Sequence, residues 1–156
     1  MIFSSSITTV ANTLEANAQI TRLSVAKGLV YKFEVEFPPG CCGLVHCQVL
    51  DGGYQVYPTS RDDSFHSDAG IIGFDDSYLK TAAPFEFVIK TWNLDETWEH
   101  EINVRIGMAS NEAFMSRYMP SISWEKFQTV LAKASLEQEQ MKRIVIEQLS
   151  NELKDI

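Results

Sequence analysis

The chain has 156 residues, which suits one domain or one domain with an appendage. Its composition, 45% hydrophobic and 22% charged, is typical of a globular protein and not of a disordered one. The net charge of −8 argues against nucleic-acid binding and against attraction to anionic lipid, because both need a basic surface.

No apolar run is long enough for a transmembrane helix. The first residues also lack the basic start and the apolar core of a signal peptide. We therefore expect a protein of the cytosol, or of a particle assembled there, that binds neither nucleic acid nor membrane.

The first two-thirds of the chain alternates short runs of apolar and polar side chains, the period-2 pattern of strands with one buried face. The predicted strands are residues 2–10, 19–25, 29–37, 43–50, 54–57, 69–74, 84–92 and 97–108. About eight short strands with turn signals between them, and no intervening helix, favour an antiparallel β-sandwich, and eight strands favour a jelly roll. The predicted fold is mainly β, with a jelly-roll sandwich over residues 1–109 and a helical segment over residues 110–156.

Residues 28–50 are predicted to form a β-hairpin at the centre of a sheet. The Pro-Pro-Gly sequence at 38–40 ends the first strand, because proline cannot donate to a sheet ladder and glycine supplies a turn. Further turns are expected at the Asp-Gly-Gly sequence 51–53, at 75–77 and, as a hairpin loop, at 93–96. The polar loop from Thr59 to Asp68 is a candidate for function, since long loops carry function more often than strands do.

The segment after residue 109 has a helical pattern. Asn111 can cap a short helix to Tyr118, and Pro120 breaks it. The chain then continues as one helix to about Leu153, or as two if Ser135 begins a second one. The candidate interface residues are the apolar side chains of this segment: Trp124, Phe127, Leu131, Met141, Val145, Leu149 and Leu153. They pack either on the sandwich of their own subunit or between subunits, and the stripe is too short to establish a coiled coil.

No residue pattern predicts a catalytic, cofactor or metal site. Cys41, Cys42, His46 and Cys47 lack the paired spacing of a zinc site, and strand geometry places His46 and Cys47 on opposite faces. The odd cysteine count predicts free thiols. His66 and His100 belong to no nucleophile motif, so the chain is predicted not to be an enzyme.

Two groups of polar and aromatic side chains have an ordinary structural explanation beside a functional one. The loop carboxylates can bind a cation or can serve turn geometry, which is the interpretation we prefer. They are Asp62, Asp63, Asp68, Asp75 and Asp76. The aromatic side chains of Tyr54, Tyr57, Trp92 and Trp98 can line a sugar-binding surface or belong to the core. A carbohydrate-binding module is therefore the alternative function.

Four short segments resemble a small β-sandwich module of bacteriophage structural proteins: FPPG at 37–40, GLVH at 43–46, QVYP at 55–58 and WNLD at 92–95. The resemblance covers roughly half the chain. It implies a non-enzymatic virion protein, assembled in the host cytoplasm, of the accessory capsid, vertex, spike-base or decoration class. The implied partners are other virion or capsid proteins and further copies of the chain, with a homotrimer as the leading expectation. The resemblance carries over no functional residues.

Overall fold

The structure is a computed structural model that describes residues 1–152, except for the side chains of 111, 118, 123, 138–139 and 142–152. The described residues are mainly β, with a helical segment at the C-terminal end. The strands are β1 Ile2–Thr9, β2 Gln19–Ser24, β3 Gly28–Glu36, β4 Val45–Asp51, β5 Tyr54–Tyr57, β6 Ile71–Lys80, β7 Glu86–Asn93 and β8 His100–Ala109. A short 3-10 helix, Glu15–Asn17, precedes β2.

The strands form two antiparallel sheets of four strands each. The first sheet has the order β1-β8-β3-β6, and the second has the order β2-β7-β4-β5. The chain changes sheet at every connection between consecutive strands except the one from β4 to β5. Each sheet is therefore assembled mostly from strands that are distant in sequence.

Side chains from both sheets belong to one buried apolar cluster. Phe33 of the first sheet contacts Tyr57 of the second, with ring centroids 4.9 Å apart. Thr9 of β1 donates a hydrogen bond to Thr91 of β7 over 2.8 Å, and both side chains are fully buried. The alternation of apolar and polar residues along the strands places the apolar set in this cluster.

The hairpin predicted for residues 28–50 is wrong. β3 pairs with β6 and β8 in the first sheet, whereas β4 pairs with β5 and β7 in the second. The connection between them is too long for a tight turn, and positive φ angles at Gly40, Cys42 and Gly43 bend it repeatedly. The segment 93–96 is likewise no hairpin loop, because β7 and β8 lie in different sheets. Both segments carry the chain from one sheet to the other.

The turn predicted at residues 75–77 is also wrong, because β6 continues through it from Ile71 to Lys80. β6 lies at the edge of the first sheet, where polar and charged side chains are tolerated. The turn predicted at 51–53 is confirmed: Asp51 pairs with Tyr54 and Leu50 with Gln55, so β4 and β5 form a hairpin.

The helical segment contains α1 Asn111–Tyr118 and α2 Pro120–Glu152. α2 is one helix of 33 residues, about 50 Å long, so no second helix begins at Ser135. Pro120 is its first residue, a position where the missing proline N–H costs nothing. The chain divides into two compact units, Met1–Asn111 and Glu112–Ile156. Within the described part of the chain, no helix is long and apolar enough to span a bilayer.

An ion pair with a buried lysine joins the two sheets. The Lys80 side chain on β6 is 2% exposed, and its ammonium group pairs with the partly buried Asp51 carboxylate on β4. The Tyr78 hydroxyl donates a hydrogen bond to the other oxygen of Asp51 over 2.8 Å. Burial, followed by this hydrogen bond, raises the pKa of Tyr78 to about 12. The Asp51 carboxylate therefore binds the Lys80 ammonium and the Tyr78 hydroxyl, both from the opposite sheet.

Replacing Asp51 with Asn is expected to lower the free energy of unfolding by about 3–5 kcal/mol, because the Lys80 charge then lies buried without a counter-ion. Equilibrium urea denaturation measures this loss. Glu86→Gln is the matched control, since it removes the surface ion pair with Arg22 and is expected to cost no more than about 1 kcal/mol. Equal losses in the two variants would contradict the structural role of the ion pair between Lys80 and Asp51.

Candidate functional site

The predicted interface residues lie on α2. Trp124, Phe127, Leu131 and Met141 are each at least half exposed. The Trp124 and Phe127 rings contact each other, with centroids 5.7 Å apart. Val145 and Leu149 belong to the part of α2 whose side chains are not described, and Leu153 lies outside the described residues. Their role as an interface stays a prediction.

One series of positions along α2, apolar except at Gln138, has alternating spacings of three and four residues, which is the spacing of a heptad repeat. The positions in this series are Trp124, Phe127, Leu131, Ala134, Gln138, Met141 and Val145. We refer to them as the α2 stripe. Leu136 is exposed and lies outside the stripe.

The polar loop 59–68, predicted to carry function, is anchored to the second sheet by Phe65. Phe65 exchanges two backbone hydrogen bonds of 2.9 Å with Cys47 on β4, beyond the end of β5. Its ring packs in the core, with its centroid 5.5 Å from that of Phe33. One end of the loop therefore belongs to the core, and the preceding residues lie over the outer face of the sheet.

Two glutamine side chains hold those preceding residues. Gln48 of β4 donates its Nε2 hydrogen to the carbonyl oxygen of Asp63 over 2.7 Å. The Gln55 Nε2 atom on β5 lies 2.7, 3.0 and 3.1 Å from the carbonyl oxygens of Pro58, Ser60 and Asp63, which share its two hydrogens. These hydrogen bonds hold the polar part of the loop against the sheet.

A cleft of about 560 Å³ lies between this loop, the outer face of the second sheet and the 3-10 helix. Gln48, Gln55, Tyr54 and Lys90 line it from the sheet, and Arg61 lines it from the loop. Its volume lies within the usual range for small-molecule sites. We refer to it as the sheet cleft. The sequence analysis missed it, because its lining residues come from separate strands and a loop; the one available signal was Gln48 on the polar face of a strand.

His46, on the same outer face, stacks on Trp92 with parallel rings whose centroids are 5.0 Å apart. The His66 ring also lies against His46, with ring centroids 5.0 Å apart. His46 Nδ1 is 2.9 Å from the Ser64 hydroxyl. Burial, followed by the nearby His66 charge, lowers the pKa of His46 below its ordinary value of 6.5.

The three cysteines are free thiols in different environments. Cys41 and Cys47 are fully buried, and Cys42 is exposed. The Cys41 Sγ lies 3.0 Å from the carbonyl oxygen of Ser67. Burial raises the pKa of the Cys47 thiol to about 12. Cys47 points into the core and His46 to the outer face, so the two occupy opposite faces as predicted. Within the described residues, no three potential ligands lie close enough together to hold a metal ion.

The loop carboxylates serve local structure in several cases. Asp68 accepts the backbone N–H groups of Gly40 and Cys42, at 2.9 and 3.2 Å. Asp76, in contrast, lies within β6 and accepts a hydrogen bond of 2.6 Å from the Tyr57 hydroxyl. The turn interpretation is wrong for Asp76, which lies in a strand. It stays a prediction for Asp68, whose hydrogen bonds are to the connection between β3 and β4 and not to its own turn.

His100 also has a structural partner. Its Nε2 is 3.0 Å from Asp95, which additionally accepts the backbone N–H groups of Thr97 and Trp98. The hydrogen bond with His100, followed by those from Thr97 and Trp98, lowers the pKa of Asp95 to about 2. These groups fix the connection between β7 and β8.

The four aromatic residues proposed to line a sugar-binding surface do not share one. Tyr57 and Trp92 are buried, whereas Tyr54 and Trp98 are exposed. Tyr54 pairs with Asp51 at one end of the second sheet, and Trp98 follows β7 at the other end. These four residues therefore do not form an exposed aromatic row across the sheet.

Comparison of the chain with known protein families finds no matching family model, and comparison with curated proteins finds no significant match.

The thiols are expected to differ strongly in reactivity. Cys42 should react at once with Ellman's reagent in the native protein, whereas Cys41 and Cys47 should react only on unfolding. For Cys47, the rise in pKa from 9.0 to about 12 lowers the thiolate fraction about a thousandfold at neutral pH. Cys42→Ser is the control and should abolish the fast phase. Rapid labelling of two or more thiols in the native protein would contradict this arrangement.

His46 is expected to titrate below 6.5 in the folded protein, as measured by NMR of its imidazole protons. The unfolded chain then binds a proton more readily, so stability should fall as the pH decreases through and below 6.5, and should be insensitive to this group above it. His66→Gln should raise the pKa of His46 only part of the way, because burial remains. A folded-state pKa at or above 6.5 would refute this environment.

Proposed function

We propose that the chain is a non-enzymatic structural protein of a virion: an accessory capsid, vertex, spike-base or decoration protein that acts through protein–protein contacts in a symmetric assembly. Its β unit is a sandwich of jelly-roll type, and its helical segment contributes to self-association. The observation that carries the proposal is the pair of strand orders, 1-8-3-6 and 2-7-4-5.

The strand orders support a jelly roll in the following way. Eight strands in two four-stranded antiparallel sheets, with nearly every connection crossing between the sheets, are the arrangement expected of a roll of two Greek keys. Buried contacts between the sheets, such as Phe33 with Tyr57, support packing of one sheet on the other. Jelly rolls of this kind build viral capsid and lectin domains.

The α2 stripe supports self-association. α2 is about 50 Å long, and its stripe residues Trp124, Phe127, Leu131 and Met141 are each at least half exposed, so burying them against a partner lowers the free energy. Three helices related by a threefold axis would bury the stripe in a closed assembly, and closed symmetry is the usual form of homo-oligomers. Gln138, at a stripe position, would set the register at some cost in stability, as single polar residues do in such interfaces.

Light scattering after size-exclusion chromatography is expected to give the mass of a trimer at micromolar concentration. The double variant Trp124→Glu and Leu131→Glu should give a monomer, because burying unpaired carboxylates costs several kcal/mol and weakens association more than about a hundredfold. Leu136→Glu, the same change outside the stripe, should leave the trimer intact. A monomeric wild-type protein, or equal dissociation by Leu136→Glu, would contradict the proposed interface.

Membership of a particle is tested directly by cryo-electron microscopy of the virion that the gene product enters. The proposal requires density for the eight-stranded unit at a symmetric position in contact with other virion proteins. Mature particles that lack the chain would refute it, whatever the oligomeric state of the isolated protein.

A further inference from the structure

The sheet cleft has the chemistry of a ligand site and is not used by the proposed assembly function. Two of its lining side chains, Gln48 and Gln55, are amides whose orientation is fixed by their partners. Both donate through Nε2 to backbone carbonyl oxygens, which can only accept hydrogen bonds. The Oε1 atom of each amide therefore takes no part in these hydrogen bonds.

The Oε1 atom of the buried Gln48 needs a donor from elsewhere, and that of the partly exposed Gln55 is available to accept a hydrogen bond. Neither Oε1 atom accepts a hydrogen bond in the part of the chain that the structure describes. Gln48 as a whole residue is 4% exposed, and buried polar atoms are nearly always hydrogen-bonded. A ligand that donates hydroxyl hydrogens into the cleft would satisfy both acceptors.

The charges of the cleft favour a neutral ligand. Lys90 is neutralised by Glu15, with 2.9 Å between ammonium nitrogen and carboxylate oxygen. The remaining charged lining residues, Arg61 and Asp62, have opposite signs. Moving an anion or a cation of high charge density from water into such surroundings would lower its free energy little. A neutral polyhydroxylated molecule, in contrast, can form hydrogen bonds with both the donors and the acceptors of the cleft.

Tyr54 adds an aromatic face. It lines the cleft and is 67% exposed, so its ring is available to a ligand. The C–H groups of a pyranose ring form an apolar patch that can pack on such a ring, while the hydroxyl groups reach the amides.

We propose that the sheet cleft binds a neutral saccharide, with Gln48 and Gln55 accepting hydrogen bonds from its hydroxyl groups and Tyr54 packing against its ring. The fixed loop segment before Phe65 forms one wall, so the cleft is present before the sugar binds. Binding of this kind differs from the aromatic row expected from the sequence, because it uses a single aromatic residue and two amides.

The experiment is an NMR titration of the isotope-labelled full chain with a panel of neutral sugars: glucose, galactose, mannose, rhamnose, N-acetylglucosamine and N-acetylgalactosamine. At least one sugar is expected to shift the side-chain amide signals of Gln48 and Gln55 in a saturable manner. Tetrahydropyran-2-methanol, which keeps the ring and has a single hydroxyl group, should not, because it cannot supply both acceptors.

Matched variants test the aromatic contact. Tyr54→Ala is expected to weaken binding about threefold to tenfold, the usual value of one aromatic contact, whereas Tyr54→Phe should retain it. Trp98→Ala removes an equally exposed aromatic residue at the other end of the sheet and should leave the affinity unchanged.

Three results would overturn the proposal: no saturable shift with any sugar of the panel, equal shifts with tetrahydropyran-2-methanol, or unchanged affinity in Tyr54→Ala. None of them depends on oligomeric state or on the presence of the chain in a virion. Failure of the saccharide site and failure of the assembly function are thus separately observable.

Discussion

The packing of Phe33 against aromatic rings from three directions is the contact on which the β unit depends. Phe33 is fully buried on β3, and its ring meets Tyr57 from the other sheet, Phe74 from the adjacent strand and Phe65 from the loop. Most neighbouring strands in this fold are far apart in sequence, so local turns cannot hold the sheets together. Burial of large side chains shared between the sheets supplies that stabilisation instead.

The same cluster determines the shape of the outer surface. Phe65 is fixed in the core and by two backbone hydrogen bonds to Cys47, so the polar residues before it cannot move far from the sheet. Gln48 and Gln55 then donate hydrogen bonds to three backbone carbonyl oxygens within residues 58–63. A wall of the sheet cleft is thus a consequence of core packing. Preorganisation of this kind reduces the entropy lost when a ligand binds.

Sequence periodicity predicted the strands well and their partners poorly. Alternation at residues 29–37 and 43–50 identifies a buried face for each strand, and both strands are present. The pattern is the same whether the next strand pairs with the first or belongs to the other sheet, and the Pro-Pro-Gly sequence marks the end of a strand without specifying its partner, so the hairpin prediction rested on proximity in sequence. Only the short Asp-Gly-Gly turn, where the chain has no room to cross, gave the correct pairing.

The loop 59–68 was singled out as a candidate for function, but its sequence does not distinguish the core residue Phe65 from the residues that line a cleft. Gln48 looked like an ordinary polar residue on the wet face of a strand. Its significance depends on Asp63, which is distant in sequence and comes close only because β4 pairs with Phe65. Sites composed of single residues from several strands leave no motif.

Self-association and saccharide binding would use surfaces that belong to different compact units, the α2 stripe in one and the sheet cleft in the other. The β unit has its own buried core, so its fold does not require that α2 find a partner. A variant that disrupts the stripe should therefore retain the cleft, and a variant of Tyr54 should retain the assembly. If a symmetric assembly forms, each of its copies carries one cleft. Several weak sites presented together would then bind a multivalent glycan much more strongly than one site does alone.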